Sequence, residues 1–224
     1  MPGEFIDGED MKLGDVLFFV DEAATRTVTH LAITAGQAAV RPTNRDADGF
    51  NNVVHVVIWT KGVDDQGGQI AEASGGASVV RSTELRKGTY FHYSCINEEL
   101  GERAAGIATT WALPERIRYN RIMCMQSVFH SASFGPNAQK RAEEYAKGAN
   151  TNAPTWGQDG SFCSQFVVAA YQAAAGMLGI PMASWTGLLA TDAIHCSVKT
   201  LQQKIRNDDR FEYKGEFSHG LFGT

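Results

Sequence analysis

The fold is decided by the segment Ser161-Phe-Cys-Ser-Gln-Phe-Val-Val-Ala-Ala-Tyr-Gln-Ala-Ala-Ala-Gly176. An apolar stripe at helical spacing runs along this segment and consists of Cys163, Phe166, Val167, Ala170 and Ala174. The alanines on the other faces are small enough to accept close neighbours on several sides. Ser161 is a suitable N-cap and Gly176 a suitable C-terminal stop, so we predict a buried helix between them.

Six apolar segments earlier in the chain predict β-strands: Val16–Val20, His30–Thr34, Val53–Trp59, Gln69–Ala73, Ser78–Arg81 and Thr89–Tyr93. Two further helices are predicted at Glu98–Ala112 and Ala138–Gly148, and Asn207–Thr224 is either a last strand or an extended tail. Ala38–Asn52 is polar and without periodicity, which predicts a surface loop. Strands followed by helices are typical of an α+β fold, which we expect to form one domain over residues 1–224.

The composition excludes several classes of protein. The chain has 224 residues, 43% of them apolar, and a net charge of −5, and it shows no run rich in lysine and arginine. Nucleic acid and anionic membranes are therefore poor candidate partners. The start, Met1 to Phe5, lacks the features of a secretory signal, and no apolar stretch is long enough to span a bilayer. We expect synthesis in the cytoplasm, or export by a route without a cleaved signal.

Four cysteines are spread widely along the chain, at Cys95, Cys124, Cys163 and Cys196. Their spacing favours neither a disulfide scaffold nor a zinc site, so we expect free thiols, no metal and no cofactor. Cys163 lies in the first turn of the predicted helix, where free backbone N–H groups and the helix dipole lower a thiol pKa and favour an oxyanion. The alternative is a small buried hydrophobic residue, which is what most free cysteines are.

His55 and Glu72 are the polar exceptions in two apolar strands. The predicted connection Lys61–Gly68 has eight residues, and an even connection pairs residues whose numbers sum to an odd value. The two side chains therefore share one face, opposite or diagonal to each other, within hydrogen-bond reach unless the register slips by one residue. The alternatives are a core histidine bonded to the backbone and an acid at an edge or on the surface.

Four short segments in this order resemble the circularly permuted NlpC/P60 branch of the papain-like fold, the YiiX-like hydrolases: Leu13–Val16, Val54–Ile58, Ile70–Ala73 and Phe162–Val167. The resemblance spans about residues 13 to 171. Ordinary NlpC/P60 proteins have the cysteine before the histidine, whereas here the order is reversed, as permutation requires. The resemblance implies an antiparallel sheet packed against helices that carry the nucleophile.

The resemblance also implies a role for each matching residue. Cys163 corresponds to the nucleophile, His55 to the general base and Glu72 to the group that orients the imidazole. Asp15 of the Gly-Asp pair and Ser164 correspond to supporting or substrate-binding positions, although Asp15 is equally explained as a turn or cap residue. His30, in Thr29-His30-Leu31-Ala32-Ile33, is the alternative base.

By resemblance, the expected activity is that of a cysteine peptidase or amidase, with peptidoglycan peptides as the leading substrate. Some relatives are antibacterial effectors, which implies a secretion-system carrier, a cognate immunity protein and action in the periplasm of a target cell. A lipid acyltransferase or thioesterase, or a deamidase of a host protein, would use the same three residues. A binding module without turnover is the alternative from another class.

Overall fold

A computed structural model describes residues 11–20, 53–64, 67–74, 79–113, 116–150 and 160–220. Its strands are β1 (Val16–Val20), β2 (Val53–Asp64), β3 (Gly67–Ser74), β4 (Val79–Glu84), β5 (Gly88–Cys95) and β6 (Phe211–His219). Its α-helices are α1 (Glu98–Ala112), α2 (Arg121–Gln126), α3 (Pro136–Gly148), α4 (Cys163–Met177) and α5 (Val198–Arg206). Short 3-10 helices lie at Met182–Ser184 and Ala193–His195. None of the described helices is long and apolar enough to cross a membrane.

The six strands form one antiparallel sheet in the order β4-β3-β2-β1-β5-β6. Because side chains alternate along a strand, each strand contributes to two separate apolar clusters. Val16, Val56 and Ile58 belong to the large cluster that contains the buried residues of α1 and α4. Leu17 and Val57 belong to a smaller cluster on the other face. The predicted α+β class is confirmed.

The helix α4 occupies the centre of the molecule, with α1 and α3 packed against it. Its first thirteen residues, Cys163 to Ala175, are all buried, as the alanine-rich sequence predicts. A Cβ atom on Gly176 would lie 2.6 Å from the Cβ of Ala146, so glycine is needed where α3 and α4 approach each other. Small side chains therefore allow two helices and the sheet to surround α4.

The ends of α4 differ from the prediction. The helix begins at Cys163 with Phe162 as N-cap, and no side chain caps it. Ser161 is not the cap because its backbone forms a bridge with Tyr119 in an extended conformation. The helix runs through Gly176 and ends at Met177, and the residue with positive φ beyond it is Gly179 (φ 68°).

The other predicted elements agree with the structure to differing degrees. β2 and β3 extend into the segment Lys61–Gly68 that was predicted to be a connection. The last segment forms a strand, β6, and not a tail. Helices α2 and α5 were not predicted. The predicted strand His30–Thr34 and the predicted loop Ala38–Asn52 lie outside the described residues.

The Gly-Asp pair of the sequence forms a tight turn between the sheet and two helices. Gly14 has a φ of 88°, and a Cβ atom there would lie 2.3 Å from the backbone oxygen of Gly101 in α1. The Tyr171 hydroxyl of α4 donates a hydrogen bond to the Gly14 carbonyl oxygen. The turn thus fixes the start of β1 against both α1 and α4.

Candidate active site

His55 and Glu72 are joined by a hydrogen bond of 2.6 Å between Nε2 and Oε2. The register of β2 and β3 pairs Ile58 with Ala71, whose numbers sum to an odd value, so His55 and Glu72 lie diagonally on one face. The contact predicted from strand parity is therefore present. Because Glu72 holds Nε2, the Nδ1 atom of His55 is left for a second partner.

Glu72 is fully buried and surrounded by positively charged side chains. Nε and Nη2 of Arg81 both donate to Oε1 at 3.1 Å, and Nη2 of Arg86 donates to the same oxygen. Burial alone raises the pKa of Glu72, but the hydrogen bond and charge of His55 and the charge of Arg86 outweigh it and lower the pKa to about 2. The carboxylate is therefore ionised at neutral pH.

Cys163 is the first residue of α4, and 1% of it is exposed. Burial raises the pKa of the thiol well above its usual range, and the backbone hydrogen bonds of Val56 and Ser164 oppose this effect only in part. The backbone at the helix start does act to lower this pKa, as expected, but burial outweighs it. Burial destabilises the thiolate by more than the helix N-terminus stabilises it.

Cys163 and the His55–Glu72 pair approach β2 from different sides. Cys163 belongs to the apolar cluster on the helix side of the sheet, as does Val56. His55 is paired with Phe19, which packs against the cluster on the other face. Between the described atoms of Cys163 and His55 there is no hydrogen bond.

Near His55 and Cys163, the strands β2 and β3 are not paired with each other. The described pairing of β2 with β3 begins at Ile58 and Ala71, so Val53–Val57 and Glu72–Ser74 are not paired with each other. We call this gap the β2–β3 seam. The backbone of Val56, at its edge, acts to lower the pKa of the Cys163 thiol. The structure thus brings Cys163 close to the residue next to His55, but the thiol and the imidazole lie on opposite faces of β2.

The two predicted supporting residues are both held by internal hydrogen bonds. Asp15 is buried and accepts bonds from His92 Nε2 at 2.5 Å and from Ser94 Oγ at 2.8 Å, which ties the start of β1 to β5. Ser164 Oγ donates to the carbonyl oxygen of Cys196 at 2.5 Å and anchors the first turn of α4. The alternative base His30 lies outside the described residues.

The sequence patterns did not predict that Arg81 and Arg86 bond Glu72, nor did they predict a second histidine–carboxylate pair. Arg81 lies directly opposite Glu72 in the pairing of β3 with β4, so the parity argument used for His55 would also have found it. The second pair joins His195 Nδ1 to Asp192 Oδ2 at 2.9 Å, and Arg141 holds the same oxygen at 2.7 Å. Its sequence signal is the spacing of three residues between an acid and a histidine.

Comparison with known proteins identifies no relative. No protein-family model matches the chain, and neither a curated protein nor a solved structure matches it. Among the described residues, no group of three or more His, Cys, Asp and Glu side chains is arranged to hold a metal ion.

Proposed function

We propose that the chain is a cysteine hydrolase of the permuted NlpC/P60, papain-like type, which cleaves peptide amide bonds with Cys163, His55 and Glu72. The observation that supports this most directly is the 2.6 Å bond from His55 to an ionised, buried Glu72. His55 adjoins Val56, whose backbone acts to lower the pKa of Cys163. A carboxylate that fixes one imidazole nitrogen leaves the other to accept a proton from a nucleophile.

In the proposed reaction, His55 Nδ1 accepts the proton of the Cys163 thiol and Sγ attacks the amide carbonyl carbon. Backbone N–H groups at the start of α4 hold the oxyanion. His55 then protonates the leaving amine, which departs and leaves a thioester. Finally His55 takes a proton from water, hydroxide attacks the thioester, and the acid and the thiol are released. Since the resting thiol is neutral and unbonded to His55, the two must meet at the β2–β3 seam before attack.

Peptidoglycan peptides are the substrate that the sequence resemblance favours, with delivery to a target cell's periplasm. The test is incubation with purified peptidoglycan and mass spectrometry of the soluble products. We expect the wild type to release new amine and carboxyl ends, and Cys163→Ala and His55→Ala to release none. Cys196→Ala removes another buried thiol next to α4 and serves as the matched control. Unchanged products from both site variants would overturn the assignment.

A binding module without turnover is the second candidate, and the burial of Cys163 favours it. A neutral thiol packed into the helix-side core is what a structural cysteine requires. Alkylation with iodoacetamide, mapped by mass spectrometry, separates the two candidates. A hydrolase predicts that Cys163 reacts faster than Cys95 and Cys124, which are also buried, whereas equal rates at the three thiols would favour the binding module.

A further inference from the structure

We infer that Arg81 and Arg86 form a subsite beside His55 that holds a free carboxylate of the peptide substrate. This inference rests on the proposed hydrolase activity, because it names the class of peptide that the same site takes. Both guanidinium groups bond Oε1 of Glu72, while Oε2 of the same carboxylate bonds His55. Two positive charges therefore share one negative charge at the candidate site.

The positive charge at this position exceeds what Glu72 requires. One guanidinium group is enough to balance one carboxylate, and Glu72 also bonds the imidazole of His55. In the part of the chain that the structure describes, Arg81 and Arg86 form no ion pair with any other acid. With His55 neutral, as a general base must be, one positive charge is left over beside it. This excess is local, because the chain as a whole carries a net charge of −5.

Hydrogen-bond donors of both arginines are also left over. A guanidinium group has five N–H groups. Arg81 uses two of them on Glu72, and Arg86 uses two, one on Glu72 and one on Ser74. The other three on each arginine have no partner among the described residues, and the side chains of Arg81 and Arg86 are 30% and 47% exposed. These donors can therefore bond an oxyanion that arrives from solvent.

Arg86 is held in place before any substrate binds. Its Nη2 atom donates to Ser74 Oγ at 2.8 Å, and its backbone carbonyl oxygen accepts a bond from the Tyr90 hydroxyl at 2.9 Å. Tyr90 is buried and stacked on Phe217, with ring centroids 5.5 Å apart. Because the guanidinium group is already oriented, little conformational entropy opposes binding. Its planar donors fit a carboxylate, the anion that a peptide carries at its C-terminus and on acidic side chains.

A carboxylate at this subsite would lie close to the proposed base. The arginines and His55 bond the two oxygens of one carboxylate group, so only the width of that group separates them. The scissile amide must also reach His55, which protonates the leaving amine. The selected peptides are therefore those with a free carboxylate close to the bond that is cleaved, at the C-terminus or on a neighbouring side chain.

The experiment compares purified peptidoglycan with the same material after carbodiimide and ammonia have converted its carboxylates to amides. We expect the wild type to cleave the native material at least about tenfold faster than the amidated material. Arg86→Gln should lower this preference to below about threefold, and Arg86→Lys should retain more of it because the charge remains. Arg103→Gln removes another exposed arginine, in α1, and should keep the wild-type ratio. A merely structural Arg86 would slow cleavage of both materials alike and leave their ratio unchanged.

Binding separates failure of the subsite from failure of the proposed function. Cys163→Ala cannot form the thioester, so its co-sedimentation with the native and the amidated material measures recognition without turnover. We expect it to prefer the native material, and the preference to be lost when Arg86→Gln is added. Cleavage of both materials at equal rates, or an unchanged ratio in Arg86→Gln, would overturn the subsite and leave the hydrolase. If neither material is cleaved, a binding preference that depends on Arg86 still supports the subsite, and equal binding overturns it.

Discussion

At the level of one residue, Glu72 shows how hydrogen bonds stabilise a buried carboxylate. Its two oxygens are divided between partners, with His55 on Oε2 and the guanidinium groups of Arg81 and Arg86 on Oε1. A buried ion is stable only when its lone pairs are used in this way. The carboxylate can therefore remain ionised and hold the imidazole of His55 in one orientation.

This arrangement makes folding stability depend on acid pH. The pKa of Glu72 falls from 4.5 to about 2 on folding, which corresponds to roughly 3 kcal/mol of stability. Because the folded-state pKa is the lower one, this stability is present above pH 4.5 and is lost as the pH falls toward 2. Glu72→Gln should therefore lose at least about 3 kcal/mol at pH 7 and show a shallower acid decline.

Urea unfolding at a series of pH values between 7 and 2 measures both effects. Glu102→Gln removes an exposed carboxylate from α1 and is the control, with an expected change below about 0.5 kcal/mol. An acid decline in Glu72→Gln as steep as in the wild type would show that other carboxylates dominate the titration.

The same residues show what strand parity can and cannot predict. Parity depends on the number of residues in a connection and on any register shift beside it. Two shifts occur between Trp59 and Asp64, and together they leave the parity unchanged, so the prediction that His55 and Glu72 share one face holds. Parity does not predict the pKa of Cys163, which depends on how completely the surrounding elements exclude water from the thiol. It also cannot predict Arg86, which reaches Glu72 from beyond the end of β4.

At the level of elements, local signals predicted the interior of α4 better than its ends. Alanine content and apolar spacing are properties of the segment itself, and they predicted a helix packed on several sides, as observed. The first residue of the helix was decided by a distant contact, the bridge of Ser161 with Tyr119. For α5 a local signal did exist, since Ser197 caps it and Val198, Leu201 and Ile205 are buried at helical spacing.

The close approach of Gly14 to α1 can be tested by adding a methyl group at this position. Gly14→Ala would place a methyl group against the Gly101 backbone at a positive φ, so we expect a loss of about 3 kcal/mol. Gly106→Ala in α1 meets no atom within 4 Å and should instead stabilise the protein by up to about 1 kcal/mol. Thermal unfolding of both variants measures the contrast, and a Gly14→Ala protein as stable as the wild type would contradict it.

For the molecule as a whole, the two faces of the sheet bury different kinds of side chain. The helix face holds the large core around α4, which any alternating strand pattern followed by helices would predict. The other face carries both an apolar cluster and the polar groups of Glu72, His92 and Asp15, all buried. The near-continuous apolar run Val53–Trp59 does indicate a strand buried on both faces. It does not reveal that Glu72, His92 and Asp15 are buried on the second face as well.

The strand β6 tests whether the second face is a packed layer, because it contributes one phenylalanine to each side. Phe211 packs on Tyr171 in the helix-side core with ring centroids 5.3 Å apart, and Phe217 stacks on Tyr90 on the other face at 5.5 Å. If both faces are packed, Phe211→Ala and Phe217→Ala should each destabilise the protein by about 3 kcal/mol in urea unfolding, since both leave a cavity. Lys214→Ala, between them, should cost less than about 0.5 kcal/mol. A loss below about 1 kcal/mol for Phe217→Ala alone would contradict a packed second face at the β6 edge of the sheet.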